Sequence, residues 1–256
     1  MRSMVGDKGL NPTLRIRQPL AGRILVADDS PDLRELLLFQ LGELGLEGTA
    51  VADGIEAIEA AARGGFDAIL LDMEMPRMNG WEAAHALRAH GYDRPIIALT
   101  AHESGSETKR ALAEGCNRIL GKPCNIERLH AVLAPLFTGA TVPGAPLQAS
   151  APEPGSSTAE LVVRVDSRIA DLAQGFLESA RRDVAQARVA LQARDLDAIR
   201  LIGHSLRGSA GSYGFEALAR LGGLLEHAAR NGDIGSADRI AARAADYLAR
   251  VETRID

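Results

Sequence analysis

The stretch 23–32, RILVADDSPD, decides the fold of the first half of the chain. Its first five residues are mostly apolar, and they have the length of a buried strand. Two aspartates follow at once. Ser30 and Pro31 come next, and they are preferred residues for the N-cap and the first position of a helix. Leucines at helical spacing continue the pattern: Leu33, Leu36, Leu37, Leu41 and Leu44.

The same order of a strand and then a helix recurs along residues 22–137. Strand-like runs lie at 47–51, 67–71, 95–99 and 118–120, and the first of these is weak. Helical patterns follow them at 55–58, 81–87, 109–112 and 126–136. Such alternation is typical of an α/β fold with a doubly wound, parallel, five-stranded sheet and helices on both faces.

Residues 138–158, TGATVPGAPLQASAPEPGSST, divide the chain in two. They consist almost wholly of Pro, Gly, Ser, Thr and Ala, which is typical of a flexible linker. We therefore expect a leader over 1–21, a first domain over 22–137, the linker, and a second domain over 159–256.

The second domain has no strand signal and is predicted to be all-α. Its helical pattern is interrupted at 193–195, 211–214 and 231–233, and Asp195 is a candidate N-cap. Short connections between long helices favour antiparallel neighbours, so we expect a four-helix bundle.

Composition excludes several classes of protein. The four segments carry net charges of +3, −7, −1 and 0, so none has the basic excess of a nucleic-acid-binding domain. No apolar run approaches the roughly 18 residues of a membrane span, and residues 1–21 lack the apolar block of a signal peptide. We expect a cytoplasmic protein that does not bind nucleic acid and does not insert into a membrane.

Polar side chains follow the predicted strands of the first domain. Asp28 and Asp29 follow the first strand, Asp72 the third, Thr100 the fourth and Lys122 the fifth. Carboxyl ends of parallel strands share one edge, where ligands bind. Two carboxylates about 4 Å apart repel by roughly 4 kcal/mol at an effective dielectric of 20, so we expect a divalent cation, best Mg²⁺.

These positions suggest chemical roles. Asp28 and Asp29 would anchor the metal, and Asp72 would add a ligand and attack a phosphoryl group. Thr100 and Lys122 would hold the oxygens of the transferred group.

The segments ILVADDSPDLRELL, LLDMEMPRMNG, IIALTA and LGKP resemble the receiver domains of two-component response regulators, in the variety attached to hybrid sensor kinases. The resemblance implies a flavodoxin-like sheet, Asp72 as the phosphoacceptor and the backbone carbonyl of Glu74 as a further Mg²⁺ ligand. Many receivers carry an aromatic residue where this chain has Ile119, so the usual route from Thr100 to the surface is in doubt.

A single histidine stands out in the second domain. On a helical wheel His204, Arg200 and Arg207 lie opposite the apolar face, so we expect His204 to face water. Gly203 and Gly208 each cost roughly 0.8–1 kcal/mol relative to Ala inside a helix. Gly208 would let a partner surface approach the imidazole, while the arginines would attract a phosphoryl group.

The segment GHSLRGSAGSYGFEALARL resembles the signature of histidine phosphotransfer (Hpt) domains, H-x-L-K-G-x-x-x-x-x-G. The resemblance implies that His204 carries a phosphoryl group, with Arg207 in the place of the usual Lys. The leading hypothesis is a phosphorelay protein that exchanges phosphoryl groups with sensor histidine kinases or other receiver domains.

Two alternatives stay open. In the first, the protein is a binding regulator, and phosphorylation of Asp72 merely changes how the helical domain binds a partner. In the second, the protein is a phosphate sink, and hydrolysis at Asp72 removes phosphate from a competing pathway. The sequence shows no histidine-kinase ATP-binding pattern, so we expect a phosphoryl carrier and not a kinase.

Overall fold

The first half of the chain is built around a parallel sheet. The computed structural model describes residues 19–101, 105–138 and 161–255. The elements of its first part, which we call the sheet domain, are β1 (Arg23–Ala27), α1 (Pro31–Glu43), β2 (Glu47–Val51), α2 (Gly54–Arg63), β3 (Ala68–Asp72), α3 (Gly80–Ala89), β4 (Ile96–Thr100), α4 (Gly105–Ala113), β5 (Arg118–Gly121) and α5 (Ile126–Thr138).

The strands of the sheet domain pair in the order β2-β1-β3-β4-β5, and all of the pairs are parallel. The winding direction reverses between β1 and β3, which places the ends of these two strands side by side. The doubly wound α/β fold is therefore confirmed. Each predicted strand forms within one or two residues of its expected bounds.

Local sequence explains where the first helix begins. The Ser30 hydroxyl accepts a hydrogen bond from the backbone N–H of Leu33 at 3.3 Å, and Pro31 is the first helical residue. A capping side chain of this kind satisfies one of the free N–H groups of the first turn. The aspartates before Ser30 are thereby held at the end of β1.

The second part of the chain, which we call the helical domain, has the predicted helices. Within the described residues it contains α6 (Ala170–Ala193), α7 (Leu196–Ser212), α8 (Glu216–Arg230) and α9 (Ile234–Arg250), together with β6 (Val162–Val165) and β7 (Glu252–Ile255). Asp195 caps α7 by accepting a hydrogen bond from Ala198 N–H at 3.0 Å. The four-helix prediction is confirmed.

The prediction that this domain has no strands is wrong. β6 and β7 pair in parallel, with Val162 opposite Glu252 and Val165 opposite Ile255. Each strand has four residues, which is too short for a period-2 pattern to be recognised in the sequence. The pairing joins the two ends of the domain, and it forms only because the bundle brings them together.

The apolar core is continuous between the two domains. Alternate residues of the central strands point to opposite faces, and the face that carries Val26 packs with α1 and α5. The same cluster includes Leu33 of α1 with Phe176 of α6 and Leu206 of α7. Helix α1 therefore packs on the sheet with one side and on the helical domain with the other.

Candidate active site

Three carboxylates meet at the carboxyl edge of the sheet. Asp28 and Asp29 lie just after β1, and Asp72 is the last residue of β3. Each offers a carboxylate oxygen, and these atoms all lie within 4.8 Å of one another. Asp28 is 0% and Asp72 1% exposed, so water screens their mutual repulsion poorly.

Lys122, directly after β5, supplies a positive charge to this cluster. Its Nζ lies 2.9 Å from Asp28 Oδ2 and 2.7 Å from Asp72 Oδ2. Burial opposes the charged form of Lys122, but the two aspartates outweigh it and raise the pKa of the ammonium. Thr100 ends β4 at the same edge, and its carbonyl accepts a hydrogen bond from Lys122 N–H at 2.6 Å.

The donor set fits a hard divalent cation. Burial raises the pKa of Asp28, and burial together with the Asp28 charge raises the pKa of Asp29. One lysine among three carboxylates leaves two negative charges when all are ionised. Oxygen ligands with this excess of negative charge suit Mg²⁺, which is usually bound by one or two carboxylates together with water and phosphate oxygens.

His204 lies in the middle of α7, and its predicted exposure to water is wrong. The residue is 5% exposed, because Glu74 of the sheet domain and Glu226 of α8 both lie against the face of α7 that the helical wheel assigned to solvent. The imidazole is enclosed by polar groups. Its Nδ1 lies 3.3 Å from Glu74 Oε2 and 3.5 Å from Glu226 Oε1, at ion-pair distance, and neither ring nitrogen makes a hydrogen bond of good geometry within the described residues.

Hydrogen bonds from three places hold α7 against the sheet domain. Side-chain hydroxyls of Ser30 and Ser209 lie 2.8 Å apart, and Cys124 N–H donates to Ser212 Oγ at 3.1 Å. The Tyr213 hydroxyl donates to a backbone carbonyl of the sheet domain, that of Asp32, at 3.0 Å.

The glycines of α7 allow two different close approaches. A Cβ on Gly208 would lie 3.3 Å from Lys122 Cδ, so this glycine faces the carboxylate cluster. The surface that was expected to approach the imidazole at Gly208 is therefore, in this structure, the sheet domain of the same chain. A Cβ on Gly203 would lie 2.5 Å from Glu226 N, so Gly203 brings α7 and α8 together within the bundle.

Arg207 forms an ion pair within its own bundle. Its Nη1 lies 3.2 Å from Glu226 Oε2, so the guanidinium is directed to a carboxylate of its own bundle. Arg200 lies 3.9 Å from Glu74 Oε2, also in an ion pair. A buried acidic partner for Arg207 was not predicted, because nothing in the local sequence around Glu226 marks it as a neighbour of α7.

Glu226 is the site residue that sequence reasoning missed. It is 1% exposed, and its Oε1 also lies 2.6 Å from Arg230 Nη2, one helical turn later. Burial raises the pKa of Glu226, but His204 and the two arginines outweigh it and lower the pKa. The only available signal was the i, i+4 pairing of Glu226 with Arg230, which is common on exposed helices.

The charge on His204 depends on both domains. Burial lowers its pKa, but Glu226 and then Asp72 outweigh burial, and the net pKa lies above the ordinary value of 6.5. Lys122 opposes this rise. Charged groups of both domains therefore set the direction in which the pKa of the imidazole is shifted.

Ile119, which stands where many receivers have an aromatic residue, is partly buried and packs against the apolar cluster between the sheet and helices α2, α3 and α4. His102, two residues past Thr100, lies outside the described residues. None of the helices in the described ranges has both the length and the apolar character needed to cross a membrane.

A buried aspartate at a strand end, a lysine beside it and a helical histidine facing them are the components of a phosphotransfer protein. The family model of the response regulator receiver domain matches residues 24–134, and that of the Hpt domain matches residues 171–254. The chain belongs to the two-component signalling proteins, as a receiver domain followed by an Hpt domain.

Two relatives illustrate the similarity in sequence. The chain is 34% identical over 199 residues to the sensor protein GacS of Pseudomonas syringae pv. syringae, across 75% of its own length and 20% of that protein. It is 41% identical over 115 residues to the response regulator MprA of Mycobacterium leprae, across 45% of its own length and 50% of that protein. The chain thus spans half or less of the length of these relatives.

Solved structures align with single domains of the chain. The receiver domain of the sensor histidine kinase PA1611 from Pseudomonas aeruginosa, which holds magnesium in its active site cleft, is 35% identical with a TM-score of 0.43, over 47% of this chain and 99% of that one. A second match comes from a complex of the Saccharomyces cerevisiae histidine phosphotransfer protein Ypd1 with the Ssk1 receiver domain. It has 25% sequence identity and a TM-score of 0.45, and the alignment covers 47% of this chain and 91% of that one.

Proposed function

We propose that the protein is a phosphorelay intermediate in which Asp72 accepts a phosphoryl group and passes it to His204 of the same chain. The observation that carries the proposal is the docking of the face of α7 that bears His204 onto the edge of the sheet that bears Asp72. His204 and Asp72 are both buried in this arrangement, and Gly208 lies against Lys122 between them.

The proposed transfer needs only the two side chains and the phosphoryl group, because every bond, electron pair and proton in the step is accounted for. The lone pair of His204 Nε2 attacks phosphorus, the bond from phosphorus to the Asp72 oxygen breaks, and the electron pair of that bond stays on Asp72 as a carboxylate. The proton on Nδ1 stays there. The ring becomes cationic as the new bond forms, and the nearby carboxylates of Glu226 and Glu74 stabilise that charge.

The remaining receiver residues position the group that is transferred. We propose that Asp28, Asp29, Asp72 and the backbone carbonyl of Glu74 hold Mg²⁺. A divalent cation held by these residues would supply positive charge to the carboxylates and to the phosphoryl oxygens. Thr100 and Lys122 contact those oxygens, and Lys122 neutralises part of the charge that returns to Asp72. Arg207 acts indirectly, by holding Glu226 beside His204.

We further propose that residues 22–137 and 159–256 are the two functional units, joined by the linker 138–158. The proposed partners are a sensor histidine kinase or a small phosphodonor on one side and another receiver domain on the other. The pairing of an aspartate acceptor with a histidine carrier, without a donor of its own in either matched domain, supports this assignment.

Chemical stability of the label tests the proposal. The full chain is incubated with labelled acetyl phosphate and Mg²⁺, and the label on His is distinguished from that on Asp by its resistance to alkali. We expect both kinds of label in the unaltered chain, only alkali-labile label in His204→Gln, and neither in Asp72→Asn. His227→Gln, which replaces an exposed histidine on α8, is the matched control.

A rate of histidine labelling that does not change on tenfold dilution of the labelled chain would establish transfer within one molecule. Absence of alkali-stable label in the unaltered chain would overturn the proposal. It would favour the alternative in which phosphorylation of Asp72 only alters binding by the helical domain.

A further inference from the structure

Glu74 is connected to both ends of the proposed transfer. Its backbone N–H donates to Asp72 Oδ1 at 3.2 Å, so its main chain belongs to the phosphoacceptor loop. Its side chain leaves the sheet domain, and Oε2 lies 3.3 Å from His204 Nδ1 on the opposite domain. No sequence pattern predicted a role for this carboxylate, because the receiver resemblance concerns only the backbone carbonyl of this residue.

Two arginines of the helical domain flank the same carboxylate. Arg230 Nη2 lies 3.3 Å from Glu74 Oε2, and Arg200 Nη1 lies 3.9 Å from it. Glu74 therefore stands opposite three groups that are cationic when His204 is protonated. A neutral or basic side chain at position 74 would leave these groups facing each other without a counter-charge from the sheet domain.

The other polar contacts around the site discriminate poorly between partners. Cys124 contributes a backbone N–H and Asp32 a backbone carbonyl, which a receiver of any sequence can offer. Charged side chains, in contrast, set specificity by rejecting partners of the wrong sign. A second charged pair between the domains joins Arg168, in a short 3-10 helix, with Glu43 at the end of α1, at 2.8 Å. This pair can strengthen docking, but it does not contact the imidazole.

We infer that the Glu74 side chain is a specificity determinant that selects the chain's own helical domain, by pairing with Arg200, Arg230 and His204, and aligns it for transfer from Asp72. The inference rests on the proposed function, and it names the residue that determines which helical domain receives the phosphoryl group. An acidic side chain two residues after the phosphoacceptor would match an Hpt surface with basic residues beside its histidine.

Full-length chains with substitutions at position 74 test the inference. The alkali-labile label is first placed on Asp72 with acetyl phosphate and Mg²⁺, the donor is removed, and the growth of alkali-stable label is followed. We expect Glu74→Gln to slow transfer about fivefold, the upper end of what partly exposed ion pairs contribute. Glu74→Lys should slow it about tenfold or more, because it places like charges together.

A charge exchange distinguishes recognition from general damage. Combining Glu74→Lys with Arg200→Glu should transfer at least about threefold faster than Glu74→Lys alone, since an opposite-charge pair is restored across the interface. Glu47→Gln, which removes an exposed carboxylate from β2, is the matched control and should transfer at the rate of the unaltered chain. Hydrolysis of the Asp72 label is measured in the His204→Gln background, to correct for any change in its lifetime.

The possible outcomes separate the two proposals. If the unaltered chain never forms alkali-stable label, the proposed function fails. If it does, but Glu74→Lys transfers within twofold of it, or the charge exchange gives no recovery, the proposed function stands and the role assigned to Glu74 is overturned.

Discussion

Asp72 and His204 are buried to a similar extent, yet their polar neighbours come from different parts of the chain. Asp72 lies at the end of β3 beside Asp28 and Lys122, all of them residues of the sheet domain. His204 lies beside Glu226 of its own bundle and Glu74 of the sheet domain. The carboxylate cluster is therefore formed by residues of one domain, whereas the surroundings of His204 come from both.

This difference has a functional consequence. Separation of the two domains would leave the carboxylate cluster intact but would expose the imidazole and remove Glu74 from Nδ1. Under the proposed function, the docked form is the one in which exchange within the chain would take place, and the separated form would present His204 to other proteins. Substitutions in the carboxylate cluster should therefore mainly change the stability of the sheet domain, whereas substitutions around His204 should mainly change the rate of transfer.

The largest effect is expected at the aspartate site. Lys122→Ala leaves Asp28 and Asp72 buried without their cation, so it should lower the free energy of unfolding of the sheet domain by about 3 kcal/mol when no divalent cation is present. If the cluster holds Mg²⁺ as proposed, Mg²⁺ at about a hundredfold its Kd should restore up to roughly 2.7 kcal/mol, because it would bind the folded state and not the unfolded one. Thermal and urea unfolding with and without Mg²⁺ measure both effects.

Lys109→Ala is the matched control, since Lys109 is exposed on α4. It should leave stability within about 0.5 kcal/mol of the unaltered chain. An Lys122→Ala chain that unfolds at the same temperature as the unaltered one, in the absence of Mg²⁺, would show that the cluster does not depend on Lys122.

The two glycines of α7 should respond in opposite ways. A Cβ on Gly203 meets backbone atoms of Glu226, so Gly203→Ala should destabilise the bundle by about 2 kcal/mol despite the helix preference of Ala. A Cβ on Gly208 meets only the Lys122 side chain, at 3.3 Å. Gly208→Ala should leave the bundle as stable or up to about 0.8 kcal/mol more stable, while transfer to His204 slows.

Hydrogen exchange of the α7 and α8 amides and the rate of alkali-stable labelling measure these two properties. Gly175→Ala on α6 is the control, because a Cβ there has nothing within 4 Å and should simply stabilise its helix. Equal changes in stability and equal changes in transfer rate for Gly203→Ala and Gly208→Ala would contradict the assignment of Gly203 to packing within the bundle and of Gly208 to docking of the two domains.

The smallest effect is expected from a group that acts through His204. Glu226→Gln removes the largest contribution that raises the pKa of His204, so that pKa should fall. Transfer needs the neutral imidazole, so its rate rises as pH increases through the His204 pKa, and in the variant this rise should occur at lower pH. At pH 8 we expect transfer about fivefold slower, because the ring is less well oriented and its developing charge less stabilised.

The same substitution changes how stability depends on pH. A folded-state pKa raised above 6.5 contributes stability that is fully present below 6.5 and is lost as pH rises through the folded pKa. Glu226→Gln should reduce this contribution. Proton NMR of the His204 ring and pH-rate profiles test both statements, with the exposed Glu216→Gln on α8 as control, and an unchanged His204 titration would contradict them.

The sequence was sufficient for those features that depend on near neighbours. The strand runs, the Ser30 and Asp195 caps and the helix breaks each involve residues a few positions apart, and all of them form as expected. The meeting of Asp28, Asp29, Asp72 and Lys122 also follows from sequence, because parallel strands bring their carboxyl ends to one edge. The β6–β7 pair, in contrast, joins segments that are far apart in the chain.

By itself, the sequence determined the two folds and the residues at the strand ends, since periodicity and capping act over one or two helical turns. Tertiary structure alone decided that His204 is buried, that Arg207 is directed to Glu226, and that Glu74 reaches across to Arg230. The physical reason is that a helical wheel assigns a polar face to solvent, whereas that face is covered here by a second domain whose position depends on contacts between distant parts of the chain.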